Sequence, residues 1–285
     1  MLKQKLGPTT EKERHLILDI LRGLALADIA LANFPEFALW TFLSPNEQAM
    51  MPTAEVDKVV RFLQFAFVDG KFYTIFSILF GIGFSLILAR RSVSLFLRRM
   101  LILACIGFCH LMFIWSGDIL LLYALGGLLL PLFIKMKDKV LMVIAGLLIF
   151  VPVVLDALTE FVGIDFSGPF YDLWWAQAAK EGITEANFAS WLRDADGYAA
   201  MFAFLKQGAC ERLWEIVSGH RLPKVLGLFI IGFLIGRHRF YSRLRELPLK
   251  LIFLWTLVFS LPASLLYAVS VIPMSFSYIA AVWLM

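Results

Sequence analysis

Asp19, Arg22, Asp28 and Asn33 lie in one otherwise apolar run of sixteen residues, LDILRGLALADIALAN. On a helix that advances about 100° per residue, Asp19 and Arg22 fall one turn apart, and Asn33 returns to within about 20° of Arg22. One polar stripe therefore runs along a greasy rod. Ionisable groups at membrane depth are expensive and tend to face the interior of a bundle, where they mark a working site. Asp19 and Arg22 also read as a self-neutralising pair that only fixes the helix. Asp28 sits about 180° from Asp19 and needs its own partner or a proton.

A second constellation joins His110 to Asp118, eight residues later across a Ser116, Gly117, Asp118 turn. A histidine with an acid beside it is the minimum general-base arrangement for deprotonating a hydroxyl or an amine. The same residues have structural readings: Asp118 stands where a helix N-cap belongs, and a membrane histidine often hydrogen-bonds a carbonyl across helices. Lys71 opens the run KFYTIFSILFGIGF, with Thr74 and Ser77 following on the same helix and Tyr123 within reach from a later segment. Lys71 either binds an anion or snorkels to the interface. The candidates are thus His110 and Asp118 as catalytic residues, with Asp19, Arg22, Asn33, Lys71, Ser77 and Tyr123 lining a cavity. No metal site is expected, because the chain has no HExxH, no His or Cys cluster of metal spacing and no phosphate-cradling glycine loop.

Positioning these groups falls to long apolar helices. The chain has 285 residues, 60% hydrophobic and 17% charged, with a mean hydropathy of +0.80. A soluble domain of this length cannot bury so much apolar surface. The reading is an all-α polytopic transmembrane bundle in a single domain over 1–285, with seven complete spans and a truncated eighth. The spans are placed at 16–43, 71–89, 98–115, 119–134, 140–158, 222–236 and 248–271, with a short interfacial helix at 56–68. After Pro273 only about a dozen residues remain, and crossing takes about 20.

Basic residues gather at every second connection: the tail 1–15, then 90–99, 135–139 and 237–250. That alternation predicts a cytoplasmic N-terminus. It also explains the net charge of +4 without nucleic acid. The long segment 159–221 falls outside the cytoplasm; from Asp156 to Arg221 there are ten acids against five Lys or Arg. Trp174, Trp175 and Trp191 predict amphipathic surface helices there. No cleavable signal is expected, since the first fifteen residues are polar and the apolar segment that follows is long enough to anchor. Cys105 and Cys109 read as packing residues, Gly232 and Gly236 as a helix-packing pair, and His15 and His238 as solvated. His220 and Arg221 precede a span, where they can touch substrate or a lipid headgroup.

The blocks LDILRGLALADIALANF, KFYTIFSILFGIGFSL and GFCHLMFIWSGDILLLYAL, in this order, resemble the YeiB-like membrane proteins, domain of unknown function 418. That family sits within a wider acyltransferase-like superfamily of membrane proteins. The resemblance implies a bacterial cytoplasmic-membrane protein that passes an acyl group from a cytoplasmic thioester donor, acyl-CoA, to a small-molecule or glycan acceptor on the other side. Membrane lipid is the expected environment, with the basic rim of Arg90, Arg91, Arg98 and Arg99 facing the donor. One departure stands out: family-three acyltransferases carry a catalytic histidine eleven residues after the RG arginine, and this chain has Asn33. Two other readings remain open from the residues alone. One is a transporter using Asp19, Asp28, Lys71 and His110, and the other a non-catalytic partner docking through 159–221.

Overall fold

The computed structural model describes residues 16–184, 186–242 and 248–271. The N-terminal tail and the partial eighth span expected after Pro273 lie outside the described residues. Every described element is a helix or a turn, with no strand among the described residues.

The first helix, α1 (Leu16–Phe37), buries Leu18, Ala25 and Asp28 and ends two residues beyond Pro35. A single 3-10 turn at Trp40–Phe42 leads to α2 (Pro45–Ala49), which Ser44 and Glu47 start with a reciprocal capping box. The interfacial helix expected at 56–68 is α3 (Ala54–Phe67), and Gly70, at φ 78°, turns the chain into α4 (Lys71–Arg90). Then come α5 (Val93–Phe113), capped by Ser92, and α6 (Leu120–Leu129), which tightens into a 3-10 turn at Leu130–Phe133. Next, α7 (Asp138–Val162) stops at Gly163 in the left-handed region, where a residue without Cβ is unstrained.

Segment 159–221 folds as α8 (Gly168–Lys180), α9 (Phe188–Asp194) and α10 (Gly197–Ser218). The chain closes with α11 (Arg221–Arg237), α12 (Leu249–Trp255), a π turn at Thr256–Ser260 and α13 (Leu261–Val271).

The core forms where α4 crosses α11. A Cβ on Gly81 would land on the Phe229 carbonyl, and one on Gly232 on the Ile78 carbonyl, so the two backbones touch only because these positions are glycine. Around the crossing, Phe80 stacks on Phe229 at 4.3 Å, and Phe84, Phe96, Leu122 and Leu141 bring in α5, α6 and α7.

Seven complete spans are more than the described helices support. All the expected segments are helical, but among the described residues only Val93–Phe113, Asp138–Val162 and Lys250–Val269 are long and apolar enough to cross a membrane. A fourth is gained if α10 and α11, bent by 63°, count as one broken span. The reasons are physical: α1 has the length but carries Asp19, Arg22, Asp28 and Glu36, while α4 and α6 offer the shorter apolar stretches Tyr73–Ala89 and Leu120–Phe133. Three apolar helices of crossing length associate the chain with a membrane.

Candidate functional site

His110 and Asp118 meet at the α5–α6 turn. Near the end of α5 the His110 carbonyl accepts from the amides of Ile114 and Trp115, each at 2.9 Å, which stops the helix and swings the chain back. Nδ1 of His110 then stands 3.1 Å from Oδ1 of Asp118, with the Asp118 side chain 1% exposed and that of His110 28%. The other oxygen, Oδ2, accepts from the Leu121 amide at 2.7 Å. Asp118 therefore holds the first turn of α6 from one residue before its N-cap, Ile119, and is at the same time the partner of the histidine. Both facing atoms are buried, and neither makes a hydrogen bond elsewhere. A carboxylate held against Nδ1 leaves Nε2 to exchange a proton, which is the geometry a general base requires.

Two distant elements grip this turn. From α10, Arg212 donates through Nε to the Asp118 carbonyl at 2.8 Å, and its Nη1 pairs with Glu215 at 2.5 Å. Glu215 in turn meets Arg221 at 3.5 Å. Gly208 lies so close to Ser116 that a Cβ would come within 2.6 Å of its side chain, so α10 is seated directly on the turn. From the end of α1, Glu36 accepts from Nε1 of Trp115 at 3.0 Å. Glu211 stands within electrostatic range of both Glu36 and Glu215.

The stripe on α1 meets its neighbours piecemeal. Arg22 donates to Asp19 at 3.1 Å with both side chains more than a third exposed, which is the self-neutralising pair. Arg22 also borders a groove of about 170 Å³ with Phe80, Gly83, Phe96 and Met100. Asn33 is half-buried further along the helix. Asp28, on the other meridian, is the buried acid of α1 and lies in electrostatic range of Lys71 and Asp69. Lys71 is turned inward: its Nζ donates to the Phe65 carbonyl at 2.8 Å and sits 5.3 Å from the Tyr267 ring. Burial pushes Asp69, in the turn before α4, up to about 6 against the pull of Gln64 and Lys71.

Ser77 and Tyr123 meet at 2.6 Å, both buried, with Phe76, Phe80 and Phe229 packed around the tyrosine ring. Of the candidates, Asp19 meets Arg22, Ser77 meets Tyr123 and His110 meets Asp118, while Lys71 lies in electrostatic range of Asp28 and Asn33 joins none of these pairs.

Compared with known proteins, the chain is 40% identical over 141 residues to an uncharacterised 39.9 kDa protein of Bacillus acidopullulyticus, covering 47% of this chain and 38% of the relative. It is 32% identical over 194 residues to the uncharacterised protein YxaH of Bacillus subtilis, covering 64% and 46%. To the uncharacterised protein YeiB of Escherichia coli it is 34% identical over 125 residues, covering 41% and 30%. YeiB and YxaH are among its homologues. The matches span less than half the length of each of these relatives. No family model matches, and no solved structure does.

Sequence reasoning missed Arg212 and Glu215, because 159–221 was expected to lie on the surface, and missed Glu36 at the far end of the first apolar run. The signal was the run ERLWE, whose Glu211, Arg212 and Glu215 share a helix face immediately before His220 and Arg221. Two further histidines are paired. His220 Nε2 meets Asp156 at 3.0 Å beside a cavity of about 300 Å³. His238, expected to be solvated, contacts Asp138 at 2.7 Å, and Arg237 ties the same acid to the Ile134 and Met136 carbonyls.

Proposed function

We propose that the chain is a YeiB-like integral protein of a bacterial cytoplasmic membrane, N-terminus inside, that transfers an acyl group from a thioester donor such as acyl-CoA to an acceptor on the opposite face. The observation that carries this reading is the 3.1 Å approach of Asp118 to Nδ1 of His110 in a turn clamped by Arg212 and Glu36. In this mechanism Nε2 takes the proton of an acceptor hydroxyl or amine as its heteroatom attacks the thioester carbonyl. The C–S bond breaks, and the imidazolium returns the proton to the leaving thiolate. Asp118 holds the ring and stabilises its charged form.

Donor and base lie toward opposite ends of α5. Arg98 and Arg99 are exposed near its start, and His110 follows twelve residues after Arg98, about 18 Å along a helix rising 1.5 Å per residue. An extended thioester arm is the kind of donor that spans such a gap. The test is acyl transfer from acyl-CoA by the purified chain in proteoliposomes. His110→Ala is expected to lower the rate by about a hundredfold or more with helicity unchanged. Full transfer in that variant rejects the assignment.

A second reading, transport, is favoured by one observation, the inward Lys71 within electrostatic range of Asp28 and Asp69. It predicts pH-dependent flux without acyl product.

A further inference from the structure

The connection from α6 to α7 is fastened to the end of α11. Arg237 donates through Nη2 to the Ile134 carbonyl at 2.7 Å and through Nη1 to the Met136 carbonyl at 3.2 Å, and the same Nη1 meets Oδ1 of Asp138 at 2.7 Å. The second oxygen of Asp138 faces Nε2 of His238 at 2.7 Å. Segment 134–138 is therefore held along one path.

Side chains alternate along that path. Ile134 and Met136 pack against the core, while Lys135 and Lys137 are exposed. Lys139 follows in the first turn of α7 and Arg239 stands next to His238, both of them exposed. The acid in their midst, Asp138, is spent on Arg237 and His238. Among the described residues no ion pair or side-chain hydrogen bond of Lys135, Lys137, Lys139 or Arg239 is formed, so four uncompensated cations share one rim.

What lies next to the rim decides its partner. The crossing-length apolar helix α7 begins at Asp138, which puts the cations at headgroup level. Val140, Val143, Leu147, Val151 and Val154 are all exposed, and at 100° per residue they fall within an arc of about 80°. This seam runs about 21 Å along the helix, and Lys139 heads it one turn before Val143. A soluble polyanion matches the cations and leaves the seam bare. A phospholipid with an anionic headgroup matches both. Lysines that only set the sidedness of a loop need no fixed backbone beneath them, and here Arg237 and His238 supply one.

We propose that this face holds an anionic phospholipid, its phosphodiester against the rim of Lys135, Lys137, Lys139 and Arg239 and an acyl chain along the α7 seam. The inference does not rest on the acyl-transfer reading, since none of these residues belongs to the His110–Asp118 turn.

The experiment is native mass spectrometry of the full chain released from nanodiscs of phosphatidylglycerol and phosphatidylethanolamine in equal parts. Wild type is expected to retain phosphatidylglycerol over phosphatidylethanolamine by about tenfold or more. Lys135→Gln, Lys137→Gln and Lys139→Gln combined are expected to abolish that preference, and Lys137→Gln alone to lower it about three- to fivefold. A control removes as many exposed cations elsewhere, through Lys58→Gln, Lys180→Gln and Arg193→Gln, and is expected to keep the preference. Asp138→Ala separates a held lipid from a diffuse field: it makes the rim more positive but unties it, and retention is expected to fall about threefold or more. Far-UV dichroism checks folding, and Lys137→Gln with Asp138→Ala carries the test if the triple variant does not fold. Equal retention of the two lipids by wild type overturns the proposal, as do an unchanged preference in the folded rim variants, an equal loss in the control, stronger retention in Asp138→Ala, or a dimer that carries no phosphatidylglycerol.

Discussion

Asp118 divides its labour between two oxygens, and that division predicts how its variants differ. Oδ2 holds the first turn of α6 through Leu121 while Oδ1 faces His110. Asp118→Asn can still accept at that turn, so stability is expected to hold within about 1 kcal/mol. With no carboxylate against Nδ1 to support the imidazolium, transfer is expected to fall by about a hundredfold or more. Parallel measurement of melting temperature and acyl-transfer rate checks both.

Asp69 makes a separate claim through pH. Its folded value of about 6 lies above the ordinary 3.8, so the fold holds this proton more tightly than the unfolded chain does. Its contribution is full below about pH 4 and is lost as pH rises through about 6. Melting in detergent across that window is expected to show the loss in wild type and less of it in Asp69→Asn.

Among the elements, the α4–α11 crossing is where the chain has least room to change. At Gly232 any side chain meets the backbone of α4 rather than a flexible tip. Gly232→Leu is expected to destabilise by at least about 1–3 kcal/mol, seen as a lower melting temperature and increased proteolysis. Gly146, with nothing within 4 Å of an added Cβ, is the control, and Gly146→Ala is expected to be tolerated.

The pairing of Gly232 with Gly236 as packing residues was legible because small residues four apart present one flat face. The placement of α10 was not. Its ERLWE run shows charges on one side, but nothing local says that the opposing surface is the turn at Ser116 some ninety residues earlier. The same reason hid the tie of segment 134–138 to Arg237 and His238, which lie about a hundred residues later.

At the scale of the molecule, helical class and the approximate position of the helices could be read from the apolar runs. The number of crossings could not. A run of apolar residues records composition, whereas α1 with its four charged groups and the α10–α11 pair with its 63° bend depend on neighbours to shelter what lipid would not. His110 with Asp118 was legible because a short turn leaves them few places to go; the stripe on α1 was legible as a helix face, while Asp28, on the opposite face, proved to be the buried acid of that helix.

In the proposed reaction, α5 bridges a donor at Arg98 and Arg99 and an acceptor at His110. The most direct test seals acyl-CoA inside proteoliposomes of one protein orientation, with the Arg98 face inward, and supplies the acceptor only outside. Acylated product outside with wild type, and its absence with His110→Ala, is the predicted result. Product that forms only when donor and acceptor share a side, or that persists in His110→Ala, contradicts the account.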